Sequence, residues 1–246
     1  MSEAKVLGER TLIVTPTFNE RSNIAEFVRA VRLVAPAADV VIVDDNSPDG
    51  TGEIADELAR NDPHVKVLHR PKKLGLGTAY VQAFRRGLTQ DYERFFEMDA
   101  DFSHDPKYLP AFFEALDAGA DVVLGSRNIE GGRVEGWGPG RHALSKGGSL
   151  YARTILGVEV RDLTTGFKAF TRRALETIGL DQVHSNGYSF QVETTYRALR
   201  KGLKIVEIPI VFVDRRVGQS KMDRKVFAEA VGVVWRLRLE ALRKRL

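Results

Sequence analysis

The stretch FEMDADFSHDP, Phe96 to Pro106, ends an apolar run on two aspartates one residue apart, Asp99 and Asp101. Carboxylates held this close repel each other unless positive charge sits between them. A turn explains one such pair, because Asp favours turns through local hydrogen bonds. A hard divalent cation explains it differently: carboxylates at i and i+2 face one ion and leave it room for an anionic ligand. Three more polar clusters follow apolar runs: TPTFNE (Thr15–Glu20), VDDNSPDGT (Val43–Thr51) and GSR (Gly125–Arg127). In a parallel sheet, ligands bind at the carboxyl ends of the strands. Four polar clusters at one sheet edge exceed what turns require, so the shared-site reading is preferred.

The elements that would position these clusters read as follows. TLIVTPTF, ADVVIVDD, HVKVLHR, YERFFEMD and ADVVLGSR are short apolar, β-branched or aromatic runs with turn residues at their ends, so they are predicted as strands. Between them lie helical patterns: NERSNIAEFVRAVRLVA with Ser22 as N-cap, GTGEIADELARN, TAYVQAFRRGL and DPKYLPAFFEALDAG. Strands alternating with helices predict an α/β fold with a mostly parallel sheet. EGGRVEGWGPG carries five glycines between Gly131 and Gly140 and is expected to be a long loop. RHALSKGGSLYARTIL and SFQVETTYRALRKG read as helices, TTGFKAFTR as a strand and turn, and KIVEIPIVFVD as one strand. The last 24 residues, from MDRKVFAEAV onward (with Asp223 at their head), read as an amphipathic helix.

Composition narrows the function. The chain has 246 residues, enough for one large α/β domain, and no cysteine, which excludes disulfides and thiolate metal sites. No secretory h-region and no apolar run of about 18 residues is visible, so a cytoplasmic protein that does not span a membrane is expected. Net charge is +4, from 37 basic and 33 acidic residues; this balance and the lack of a recognition motif argue against a nucleic-acid binder. The GLG at Gly75–Gly77 is no dinucleotide fingerprint, because such glycines follow the first strand directly, and there the chain reads TPTFNE. The five histidines lack zinc-like spacing; only His104 adjoins the aspartates. Lys72 and Lys73, in the loop before GLG, read as solvated cations or phosphate contacts.

In the order TPTFNE, VDDNSPDGT, MDADFSHDP, GSR, TTGFKAF and FVDRRVGQSKM, the chain resembles the polyprenol-phosphate (dolichyl-phosphate) mannose synthases, family 2 glycosyltransferases of GT-A fold, from about Thr11 to Met222. The resemblance implies inverting transfer of mannose from GDP-mannose to a polyprenyl phosphate with Mg²⁺ or Mn²⁺. It implies a GT-A domain over residues 1–222 and a C-terminal helix over 223–246. It places the metal on Asp99 and Asp101, and the donor nucleotide against Pro16, Phe18, Glu20, Val43, Asp45 and Ala100 as well as that pair. Arg215 and Lys221 would clamp the diphosphate; Arg127, Arg141 and Ser145 would take the acceptor phosphate. The residues implied in the chemistry itself are Asp101, Arg127 and Arg215. Some relatives carry a Gln two residues beyond the second Asp and many carry Tyr at the Phe18 position; here Ser103 and Phe18 stand instead. A relative that transfers glucose from UDP-glucose to the same lipid is the alternative.

Chemistry agrees with the resemblance. A phosphate monoester has a second pKa of about 6 and is largely dianionic at neutral pH, so it attacks without a general base. Such a site needs cations to bring two anions together, which arginines supply. The lipid chain requires contact with a membrane. Phe227, Ala230, Val231, Val234 and Leu237 share a helical stripe bordered by Trp235 and basic residues. That stripe predicts packing on the domain, or docking on a membrane surface or an integral membrane partner.

Overall fold

The first strand, β1 (Thr11–Thr17), shows how the sheet is buried on both faces: Leu12 and Val14 point into one core layer, Ile13 into the other. The same division runs through β2 (Asp39–Asp44), β4 (Arg94–Glu97) and β5 (Val122–Ser126), with Val41, Phe95 and Leu124 on one face and Ile42, Phe96 and Val123 on the other. This structure, a computed structural model, describes residues 6–214 and 224–243, and within them not the side chains of Pro139, Ala143, Leu144, Tyr188 and residues 224–230.

With β3 (Val65–His69), β7 (Lys168–Thr171) and β8 (Ile205–Pro209), these strands form a seven-stranded sheet of order β3-β2-β1-β4-β7-β5-β8 among the described residues. All neighbours are parallel except β7, which runs antiparallel to both β4 and β5. The expected α/β fold with a mostly parallel, helix-flanked sheet is present. Helices α1 (Ile24–Val34), α2 (Thr51–Asn61) and α4 (Leu109–Asp117) bury their apolar stripes with the Ile13 face. Helices α3 (Leu76–Leu88), α5 (Pro139–Leu156), α7 (Gly187–Arg200) and α8 (Arg224–Leu242) do so with the Leu12 face.

Four local expectations are corrected. The helix-start residue of α1 is Asn23, not Ser22, and it makes no side-chain cap; its amide instead bonds the Glu20 carboxylate at 2.9 Å. The glycine-rich segment is not all loop. It contains β6 (Arg133–Glu135), which pairs in parallel with β9 (Val211–Val213) in a small second sheet. The single strand expected over 204–214 is two, β8 and β9: Ile210 between them is buried and donates its N–H to Ser126, turning the chain from one sheet to the other. A short helix, α6 (Arg172–Ile178), replaces the expected turn after β7; the Thr171 hydroxyl caps it and Gly179, at φ 73°, ends it.

Helix α8 packs on α5 and α7. Val234 and Leu237 of the sequence stripe sit in the Leu12-face core, while Trp235, Leu239 and Leu242 are exposed. The side chains of Phe227 and Ala230 lie outside the described ones. Among the described residues, no helix is long and apolar enough to cross a membrane.

Candidate active site

The strand order reverses at β1, which has β2 on one side and β4 on the other. Open α/β sheets bind ligands at such a switch point, beyond the carboxyl ends of the strands. A cavity of about 370 Å³ lies there. Its lining includes ten residues singled out in the sequence: Pro16, Phe18 and Glu20 after β1, Asp45 after β2, Asp99, Ala100 and Asp101 after β4, Arg127 after β5, and Arg141 and Ser145 on α5. Val43 differs: its side chain is fully buried in the core and leaves only backbone for any ligand. Arg215 and Lys221 lie outside the described residues.

The chain leaves β1, β2 and β4 through left-handed residues, Asn19 (φ 62°), Asn46 (φ 56°) and Phe102 (φ 60°). That conformation is rare for a residue as bulky as Phe102 and marks strained backbone, a feature that clusters at functional sites. At the first of these turns, Lys73 Nζ sits 4.2 Å from the centre of the Phe18 ring, a cation–π contact. Asp45 is held by Arg70, whose guanidinium is almost completely buried and also bonds Thr78 Oγ1 at 2.8 Å and the Gly75 carbonyl at 3.2 Å. Arg70 thus ties the end of β2 to the start of α3. The sequence reading missed it, since one arginine at a strand end carries no signal of its partner.

Beyond β4, Asp101 accepts hydrogen bonds from the Ser103 N–H at 3.1 Å and the Ser103 hydroxyl at 2.5 Å. Asp99 accepts from the Tyr80 hydroxyl at 3.4 Å, and burial, with Asp99 adding to it, raises the Tyr80 pKa well above its ordinary value. The Asp99 N–H donates to His104 Nδ1 at 3.0 Å. An N–H cannot accept, so that nitrogen carries no proton. The His104 ring stacks on Phe167 at 5.2 Å. His104 therefore braces the aspartate turn through its backbone.

The cationic groups are held differently. Arg127 Nε and Nη2 each bond the Asp162 carboxylate at 2.7 Å, Nη2 also reaches Thr164 Oγ1 at 2.9 Å, and the guanidinium packs 5.3 Å from the Phe212 ring. Burial pushes the fully buried Asp162 carboxyl up, but the Arg127 charge and hydrogen bonds outweigh it and hold the pKa below the usual range. Arg141 Nη1 bonds both oxygens of Asp214 at 3.0 Å and stacks 4.1 Å from the Trp137 ring. Arg127 and Ser145 also line an adjoining cavity of about 120 Å³ with Arg133, His142 and Lys146; Arg127, Arg141 and Arg133 each face a carboxylate, of Asp162, Asp214 and Glu135 respectively. Neither Asp162 nor Trp137 falls in a strand-end cluster, so nothing in the chain's pattern pointed to them.

Under the buried floor, Glu97 and Lys168 occupy paired positions on β4 and β7. Burial raises the Glu97 pKa to about 7 despite the nearby Lys168, and lowers that of Lys168 to about 8 despite Glu97 and Asp162.

The site's donor set can be tested against a metal. No group of three or more His, Cys, Asp or Glu residues able to hold an ion occurs among the described residues. Asp99 and Asp101 offer hard oxygens, and the Asp99 side chain is 31 % exposed to the cavity. Two carboxylates facing an open cavity fit Mg²⁺ or Mn²⁺, which keep waters and ligand phosphates in their shells.

Residues 12–179 match the model of glycosyl transferase family 2. The chain belongs to this family. It is 46 % identical over 224 residues to a polyprenol monophosphomannose synthase of Mycolicibacterium smegmatis, covering 91 % of this chain and 84 % of that protein. It is 46 % identical over 241 residues to an undecaprenyl-phosphate mannosyltransferase of Micrococcus luteus, covering 96 % and 99 %. A dolichol-phosphate mannosyltransferase of Pyrococcus furiosus is 34 % identical over 229 residues, covering 92 % of this family member and 62 % of its relative. Among solved structures, glucosyl-3-phosphoglycerate synthase from Mycobacterium tuberculosis in complex with Mn²⁺, UDP and glucosyl-3-phosphoglycerate matches at TM-score 0.66 and 19 % identity, covering 95 % of this chain and 80 % of that one. A mannosyltransferase from Pyrobaculum calidifontis in complex with GDP-Man and Mn²⁺ matches at TM-score 0.58 and 18 % identity, covering 98 % and 68 %. At such identities the structural likeness speaks for the fold alone.

Proposed function

We propose that this family 2 glycosyltransferase moves mannose from GDP-mannose to a polyprenyl phosphate, with inversion at the sugar carbon, using Mg²⁺ or Mn²⁺. The observation that carries the reading is one cavity that brings together the Asp99 and Asp101 carboxylates and the Arg127 and Arg141 guanidiniums. Three relatives named for transfer of mannose, or synthesis of phosphomannose, on polyprenols support it.

Asp99 and Asp101 would hold the cation, which would offset negative charge on the leaving nucleoside diphosphate. Phe18, Pro16 and Glu20 bound the nucleoside with Asp45, Ala100 and the Val43 backbone. Arg127, Arg141 and Ser145 hold the acceptor phosphate in line with the sugar. That phosphate is its own nucleophile, so no side chain needs to remove a proton. What the protein supplies is position and charge complementarity. Arg215 and Lys221 are assigned to the donor diphosphate from the family pattern.

The cavity wall formed by α3, α5, α7 and α8 is apolar, with Leu76, Tyr151, Ala152, Val192, Val231 and Val234. It suits the first isoprene units of the acceptor. The exposed Trp235, Leu239 and Leu242, beside basic residues, suit contact with an anionic bilayer. Calorimetry tests the donor: GDP-mannose binding that requires Mg²⁺ or Mn²⁺, with weaker UDP-glucose binding and none of RNA, is expected. Preference for UDP-glucose, or binding indifferent to metal, contradicts the reading.

A further inference from the structure

One polar group of the cavity belongs to neither the carboxylates nor the guanidiniums. Gln191, near the start of α7, lines the cavity and is 2 % exposed. Neither its Nε2 nor its Oε1 has a hydrogen-bond partner. Glu97 is the one group this amide addresses: a Gln191 side-chain hydrogen-bonding interaction draws the Glu97 pKa down, but the contact falls outside ordinary hydrogen-bond geometry and leaves most of the donor and acceptor capacity of the amide open to the cavity. Buried amides are almost always paired, by protein or by a bound molecule. The backbone beneath is held firmly: Lys168 Nζ donates to the Gln191 carbonyl at 2.6 Å and to Thr195 Oγ1 at 2.8 Å.

Gly166 leaves room in front of this amide. A Cβ at that position would lie 3.2 Å from His104 Cε1, 3.7 Å from Gln191 Nε2 and 3.8 Å from Asp99 Oδ2. Gln191 and Asp99 therefore border one small niche, kept open by a residue without a side chain. The niche adjoins the carboxylates assigned to the diphosphate and lies in the same cavity as Arg127. In the sugar-nucleotide reading, the sugar attached to that diphosphate occupies this same cavity. A carboxamide both donates and accepts, which matches neighbouring hydroxyls of a hexose.

We propose that Gln191 is a specificity-determining residue for the donor sugar, its carboxamide binding sugar hydroxyls in the niche beside Gly166. The inference rests on the sugar-nucleotide reading above. A site that hydrogen-bonds a hydroxyl rejects an analogue lacking it, because its own buried group is left unpaired.

The test is calorimetric, in the presence of Mn²⁺, on the full chain and on Gln191→Met and Gln191→Ala, with GDP, GDP-mannose and singly deoxygenated GDP-mannoses. Affinity for GDP should stay within about two-fold of wild type, while affinity for GDP-mannose falls about five-fold or more. At least one deoxygenated donor should bind the wild-type protein more weakly than GDP-mannose and bind Gln191→Met no more weakly. Equal losses for GDP and GDP-mannose would assign Gln191 a structural role. Deoxygenated donors that respond alike in both proteins would leave a buried water as its partner. Either result overturns the proposal. The sugar-nucleotide reading is judged separately on wild type: if another sugar nucleotide binds better, mannose is the wrong sugar, and the same comparison with that donor and its diphosphate still tests Gln191.

Discussion

Arg127 grips Asp162 along one edge of its guanidinium, with Nε and Nη2 each 2.7 Å from a different carboxylate oxygen. The Asp162 N–H donates to Glu207 at 2.9 Å, so the pair is anchored to β8 on the far side of β5. Asp162 positions Arg127; it does not line the cavity. Removing one partner of a buried pair leaves an uncompensated charge and costs about 3–5 kcal/mol. Asp162→Ala should therefore lower the unfolding free energy on that order and raise the KM for polyprenyl phosphate, while Asp162→Asn does both to a smaller extent. Denaturant unfolding and acceptor kinetics measure the two effects. Unchanged acceptor KM in a folded Asp162→Asn protein would detach Arg127 from the acceptor.

Arg127→Ala should impair use of the acceptor by roughly 1.5–3 kcal/mol, the value of a hydrogen bond to a charged group, and leave GDP-mannose affinity nearly intact. Titrating acceptor at saturating donor, and donor by calorimetry, separates the terms. A fall in donor affinity alone would move Arg127 to the nucleotide end.

Asp101→Asn keeps an oxygen for Ser103 and removes the charge. It should abolish metal-dependent GDP-mannose binding while thermal stability changes little, because the residue sits in a turn rather than in the packed core. Near-normal turnover by the folded variant would remove the metal from this pair.

Much of this was legible in the sequence, for a physical reason. Strands buried on both faces read as continuous apolar runs, so the polar clusters that end them, VDD, MDAD and GSR, stood out, and the resemblance to a family then singled out Asp45 and Arg127 within them. Asp162, Arg70 and Gln191 did not stand out, because their significance lies in long-range pairing or in its absence: Arg127 and Asp162 are 35 residues apart, Arg70 and Asp45 25. The reversal of β7 was hidden too, since the side-chain period is the same in parallel and antiparallel strands. Helix α6 was readable from Thr171 and Gly179, but its seven residues fell below the length at which helical periodicity speaks clearly.

Lys168 gives a pH signature. In the folded protein its ammonium loses its proton near pH 8, against about 10.4 for an unperturbed lysine. Between these values the unfolded chain binds more protons, so stability contributed by this group rises with pH across that window. Denaturant unfolding between pH 8 and 10 should show a rise that is flatter in Lys168→Met. Parallel pH curves for the two proteins would show that Lys168 stays charged when buried.

The exposed face of α8 can be tested without touching its core contacts, which matters because Leu237 and Val234 are buried with the rest of the domain. Trp235→Ser with Leu239→Ser and Leu242→Ser should weaken sedimentation with anionic liposomes and leave GDP-mannose binding as it was. Unchanged sedimentation would show that the membrane is met through another surface.

Donor and acceptor are read together in a transfer assay crossing two donors, GDP-mannose and UDP-glucose, with two acceptors, a polyprenyl phosphate and the corresponding free polyprenol, with Mg²⁺ or Mn²⁺ and with chelator. Polyprenyl-phosphate mannose and GDP should form from one combination only, GDP-mannose with the phosphate, and only with metal present. Transfer to the free alcohol, equal or better transfer of glucose, or turnover that survives chelation would contradict the proposed function.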